Sequence, residues 1–108
     1  MKIRIERVVD ERGCVNLKFF VDSIHVGDTI EKAVEAVFEN KIRVDYGWRD
    51  RLRITYGTFE KTFICVYPIT HHTNMQTIKR AFKERITRIK TWLDSINTNE
   101  SIEFNVNV

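Results

Sequence analysis

The chain has 108 residues, enough for one domain and too few for a second core. With 43% hydrophobic, 11% aromatic and 31% charged residues it carries enough apolar matter to offset the entropy of ordering, which excludes a disordered tail or a low-complexity array. Its 18 Lys and Arg against 15 Asp and Glu leave a formal charge of only +3, too small a bias to identify a partner by itself.

The N-terminal run from Met1 to Val9 alternates charged and apolar residues, unlike a secretory leader with its basic stub and apolar stretch. The longest apolar tract, around Phe63 to Val66, is far too short to span a bilayer. A cytoplasmic protein with no membrane association is expected. Cys14 and Cys65 stand far apart without a C-x-x-C or neighbouring histidine ligand, and are expected to be small buried hydrophobes rather than a disulfide pair.

In chain order, Ile3 and Ile5 alternate with Lys2, Arg4 and Glu6, the period of a half-buried strand. Asp10 to Gly13 makes a polar turn with glycine where positive φ is needed, and Cys14 to Val21 returns antiparallel. Asp22 to Gly27 reads as a loop. Asp28 with Glu31 forms an acidic capping box for a helix whose apolar face is Ile30, Ala33, Val34, Val37 and Phe38, closed by Asn40. Residues 41–67 return to period two and predict three strands, with turns at Gly47-Trp48-Arg49-Asp50 and within Gly57 to Glu60, before Pro68 ends the last. Thr73 with Gln76 opens a long helix through Ile78, Ala81, Phe82, Ile86, Ile89, Leu93 and Ile96. Residues 101–108 alternate again, with Ile102, Phe104, Val106 and Val108 on one side.

The predicted order is β-β-α-β-β-β-α-β, which places the chain in the α+β class as one domain over residues 1–108. A mainly antiparallel sheet of five or six strands would carry both helices on one face. Because the final strand has no proline or lysine to block pairing, it predicts a homodimer that extends the sheet or covers its open face.

Charge is segregated along the chain. Residues 1–40 carry 6 basic and 8 acidic side chains, residues 41–90 carry 12 and 4, and residues 91–108 carry 3 acidic ones alone. Clustered cations attract polyanions. The hairpin supplies Arg43, Arg49, Arg51 and Arg53 around Trp48, and the second helix supplies Lys79, Arg80, Lys83, Arg85, Arg88 and Lys90 against Glu84. Basic residues interleaved with aromatic ones suit nucleic acid, DNA or RNA, with guanidinium groups on phosphates and Trp48 stacking on a base. Against this, a Lys/Arg-rich helix is commonly a solvated face, and a turn tryptophan often folds back on the core.

His25 precedes the first helix; His71 and His72 precede the second. An imidazole beside a phosphodiester held at a basic helix start could act as acid or base in a metal-independent ribonuclease, with His71 or His72 in that role. Adjacent histidines on an extended segment point opposite ways, and nothing in the spacing orients either ring. No metal site is expected, since only convergence of His25, Asp28 and His72 would make one, and no cofactor is expected without a glycine-rich nucleotide motif.

The sequence therefore points first to a small nucleic-acid-binding protein that contacts the phosphate backbone through Arg43, Trp48, Arg49, Arg51, Arg53, Lys79, Arg80, Lys83 and Arg88. A phosphodiesterase using a loop histidine and a protein-interaction or inhibitor module are the alternatives.

Overall fold

The structure, a computed structural model, describes residues 1–46, 51–64 and 73–96. Six strands and two helices appear there: β1 Ile3–Val9, β2 Val15–Val21, β3 Ile24–Gly27, α1 Ile30–Val37, β4 Arg43–Tyr46, β5 Arg51–Tyr56, β6 Phe59–Ile64 and α2 Met75–Ile96. The α+β class is as expected. The single sheet is not: the strands form two antiparallel three-stranded sheets, ordered β1-β2-β3 and β4-β5-β6. The strand expected over residues 101–108 lies outside the described residues.

The first hairpin forms as its residues dictate. Asp10 Oδ1 accepts from the amides of Arg12 and Cys14 at 2.9 Å each, and Gly13 takes φ 81°, so a short carboxylate and one glycine set the turn. Cys14, at this exposed tip, is a free thiol rather than the buried hydrophobe expected of it.

β3 replaces the expected loop. Asp22 and Ser23 both take positive φ, at 50° and 69°, the mark of a two-residue hairpin turn usually built from Asn-Gly. Asp22 is held there from both sides: its carboxylate accepts from the Lys2 amide, and its own amide donates to the Lys2 carbonyl, each at 2.8 Å.

At the end of β3, Gly27 has φ 156°, and a Cβ built on it would stand 2.7 Å from the Lys32 Cβ. Glycine is what lets the strand turn against α1 so closely. The cap of α1 is Thr29, whose Oγ1 accepts from the Lys32 amide at 3.3 Å, in place of the expected Asp28. Glu39 and Asn40, at φ 56° and 58°, then reverse the chain, with the Asn40 amide bonded to the Glu35 carbonyl at 2.8 Å.

α1 explains why there are two sheets. It packs against β2, β3 and β4, and its Glu35 carboxylate accepts the Val44 amide at 3.0 Å. That amide points away from β5, so a helix side chain fills the position a further neighbouring strand would need. The edge of β4 is closed, and the second sheet grows only toward β5 and β6.

β5 and β6 meet at Gly57-Thr58, with Gly57 at φ 59° and Tyr56 opposite Phe59. Alternation then sorts the faces: Val44, Leu52 and Ile54 are buried, while Arg43, Arg51 and Arg53 are exposed. α2 lies on the inner face. Its start is capped by Asn74, whose Oδ1 accepts from the Gln76 amide at 2.8 Å, rather than by Thr73. Its buried stripe runs Ile78, Ala81, Phe82, Arg85, Ile86, Ile89, Leu93. The first sheet joins the same body, since Ile3, Leu17, Phe19 and Val21 share a core cluster with both helices and with Val44, Leu52 and Ile54. The Arg7 guanidinium reinforces the junction by donating to the Thr73 carbonyl. Among the described residues no helix is long and apolar enough to cross a membrane.

Candidate nucleic-acid interface

The cationic side chains among the described residues fall into two groups rather than one surface. Because Leu52 and Ile54 face α2, the intervening Arg51 and Arg53 must face the opposite way, together with Arg43 from β4. On α2 the exposed Arg80 and Lys83 stand opposite the stripe buried against the sheet. A layer of sheet and helix therefore separates the two groups.

The sheet group is largely balanced. Asp45 pairs with Arg53 across the strands and accepts from two guanidinium groups, Arg43 Nε at 3.4 Å and Arg53 Nη2 at 3.6 Å. Glu60, opposite Thr55 on the same face, adds a second carboxylate. Only Arg51 has no carboxylate partner among the described residues. Three arginines against two acids leave about one net charge among the described residues of this face, in a setting where exposed pairs are worth at most about 1 kcal/mol.

The helix group is not balanced. Lys79, Arg80 and Lys83 have no ion-pair partner among the described residues. The first turn of α2 contains no acidic residue. Cations near a helix start oppose the macrodipole, so this arrangement adds positive potential without adding helix stability. Lys90, further along, is matched by Asp94 at 3.6 Å.

Two arginines of α2 have structural positions. Arg85, counted in the sequence among the surface cations, is 5% exposed and lies in the core-facing stripe beside Leu52 and Phe63. Its spacing of seven from Ile78 and four from Ile89 puts it there. Arg88 Nη1 donates to the Ile64 carbonyl at 2.6 Å and reaches Glu84 at 3.3 Å, and its guanidinium stands 4.9 Å from the Phe63 ring centre. It clamps β6 to α2.

Trp48 and Arg49 lie outside the described residues, as do His71, His72 and Cys65. His25 is described: its Nε2 lies 3.0 Å from Asp28 Oδ1, and its ring is 5.3 Å from that of Phe20, over which Arg4 sits at 4.2 Å. This exposed row crosses all three strands of the first sheet. Asp28 thus orients an imidazole instead of capping α1. Among the described residues no three His, Cys, Asp or Glu side chains gather as a metal-ligating group.

Sequence reasoning missed a groove of about 390 Å³ between β6 and α2. Phe63 and Trp92 form its floor, ring centres 6.3 Å apart and nearly perpendicular, with Lys61 and Arg88 at the rim. One wall is a row of hydroxyls from Thr87, Thr91 and Ser95. The only signal in sequence was the spacing of four along that row, placed beside an aromatic residue.

No family model, no curated protein and no solved structure matches this chain.

Proposed function

We propose that the protein binds the phosphate backbone of nucleic acid through the outward face of the first half of α2, with Lys79, Arg80 and Lys83 as the principal contacts. The observation that carries this reading is the contrast in charge balance: these three cations have no carboxylate partner among the described residues, whereas Asp45 already serves both Arg43 and Arg53. Arg51 is a separate, weaker point of attraction on the far side of the second sheet. Arg88 drops out as a phosphate contact because its guanidinium is committed to Ile64, Glu84 and Phe63. Backbone contacts of this kind carry no base readout, so the reading is of sequence-independent binding.

The test is binding of labelled single-stranded and duplex oligonucleotides to the full chain over a salt series. Three phosphate contacts predict a log–log salt slope of about −2.7, an affinity loss of roughly 40-fold between about 50 and about 200 mM salt. Arg80→Ala and Lys83→Ala should each reduce that slope by about 0.9. Binding that ignores salt overturns the reading. So does a slope that falls with Arg51→Ala while Arg80→Ala and Lys83→Ala leave it unchanged, since the contact surface would then be the sheet.

A further inference from the structure

The groove between β6 and α2 has chemistry suited to an extended peptide. Each wall hydroxyl donates back to its own helix: Thr87 to the Lys83 carbonyl at 2.9 Å, Thr91 to the Thr87 carbonyl at 2.9 Å and Ser95 to the Trp92 carbonyl at 2.6 Å. With their protons used, the three oxygens face outward as acceptors. Successive members of the row are four helical residues apart, about 6 Å along the axis. An extended chain presents amide N–H groups along one edge every second residue, about 6.7 Å apart. The two spacings match closely enough for neighbouring amides to meet neighbouring hydroxyls. Phe63 and Trp92 offer an apolar floor between them, and Lys61 at the rim has no carboxylate partner among the described residues.

A segment of that chemistry follows α2 directly. α2 ends at Ile96, one residue past Ser95 at the end of the groove. Asn97 to Glu100 is a four-residue stretch of turn-forming composition, and the next eight residues, Ser-Ile-Glu-Phe-Asn-Val-Asn-Val, alternate apolar and polar. Residues 91–108 contain no basic residue and three acidic ones, two of them Glu100 and Glu103. The row from Ser95 to Thr87 is about 12 Å long, which about four extended residues cover.

We propose that residues 101–104 of the same chain occupy this groove, with Ile102 and Phe104 on the Phe63–Trp92 floor and Glu103 beside Lys61. The segment rests on side chains and does not lengthen the β6 ladder. Arg88 already holds the Ile64 carbonyl at that edge. Topology agrees. Arg88 meets Ile64 and Trp92 meets Phe63, so α2 runs against β6, and a segment turning back from its end runs parallel to β6. Tyr56 and Phe59 close a two-residue turn, which makes Leu52 and Phe63 a hydrogen-bonded pair and puts β5 on the right of an upward β6 seen from α2. A new strand on the left would be a left-handed crossover, against a right-handed preference of about 98%.

The experiment is quenching of Trp92 fluorescence by acrylamide in the full-length chain, with Trp48→Phe as background so that one tryptophan reports. Phe104→Asp should raise quenching severalfold and shift emission to the red, while Asn105→Asp, just past the segment, should leave both unchanged. Far-UV circular dichroism checks that each variant keeps its fold. Should Phe104→Asp unfold the chain, Lys61→Glu at the exposed rim should raise quenching and Lys61→Glu with Glu103→Lys should restore protection. Unchanged quenching in Phe104→Asp, equal effects of Phe104→Asp and Asn105→Asp, or failure of the charge swap to restore protection would each overturn the proposal. Protection that fades on dilution also overturns it, because the segment would then come from a second copy.

Discussion

The two sheets have the same number of strands and the same antiparallel pairing, yet they manage their polar surfaces in different ways. On the first, outer-face side chains find partners on the sheet or just beside it: Arg4 lies over Phe20 and 3.4 Å from Glu6, and His25 lies 3.0 Å from Asp28 just past β3. On the second, the partners come partly from the helices, since Glu35 of α1 takes the Val44 amide at one edge and Arg88 of α2 takes the Ile64 carbonyl at the other. An edge strand with unpaired groups invites further pairing, and here each edge is closed by one side chain of opposite charge. The second sheet therefore depends on its helices more than the first does.

The largest effects should come from the core that both sheets share. Phe19 of the first sheet is 1% exposed and Ile54 of the second is 0% exposed. Phe19→Ala should cost about 3–5 kcal/mol and Ile54→Ala about 2–5 kcal/mol. If the sheets fold as one cooperative unit, denaturant unfolding of either variant shows one transition, coincident by fluorescence and circular dichroism. Two separated transitions would mean that the sheets are independently stable, and would break the comparison at its base.

Next is the passage from the first sheet into α1. Gly27→Ala forces a Cβ against the Lys32 Cβ, an atom fixed to the helix backbone, and should cost about 1–3 kcal/mol. Gly13→Ala is the useful contrast. Gly13 also has positive φ, but a Cβ there would meet nothing within 4 Å, so only backbone strain of about 1 kcal/mol applies. Equal losses in the two variants would show that conformation, not contact with α1, governs Gly27.

Much of this architecture was legible in the sequence, and the parts that were not have physical reasons. Alternation in Leu52 and Ile54 against Arg51 and Arg53 identifies β5 and its faces, because one side is buried and the other is not. The stripe from Ile78 to Leu93 identifies α2. β3 is hidden because Asp22-Ser23 makes its turn without glycine, relying on Lys2, a residue twenty positions away. The division into two sheets is hidden for a similar reason, since it turns on Glu35 reaching Val44. Arg85 has a readable helical phase that puts it in the core stripe, and its charge alone suggests the surface; position wins over charge. The cations of the candidate site are visible one by one, whereas their separation across the second sheet follows from how α2 packs.

The edge clamps give the next smaller effects. Glu35→Ala leaves the part-buried Val44 amide without its acceptor and should cost about 1–2 kcal/mol. Arg88→Ala removes a hydrogen bond to Ile64 and the contact with the Phe63 ring, about 1 kcal/mol together. Hydrogen exchange sharpens the point: the Glu35 variant should lose protection in β4 first, and the Arg88 variant in β6. Loss spread evenly over both strands would show that the clamps act on the sheet as a whole.

The smallest expected effects separate the outer faces themselves. Arg4→Ala removes a cation from a ring 4.2 Å away and from a carboxylate, and should cost about 0.5–1 kcal/mol. Arg51→Ala removes an exposed cation with no carboxylate partner among the described residues, and its stability should stay within about 0.5 kcal/mol of the parent. The difference should persist in high salt, because ring contact is less screened than exposed ion pairing. If Arg51→Ala proves the costlier of the two, the guanidinium has a structural role, and the picture of a first sheet whose Arg4 is partnered beside a second that leaves Arg51 without a carboxylate among the described residues would have to be reversed.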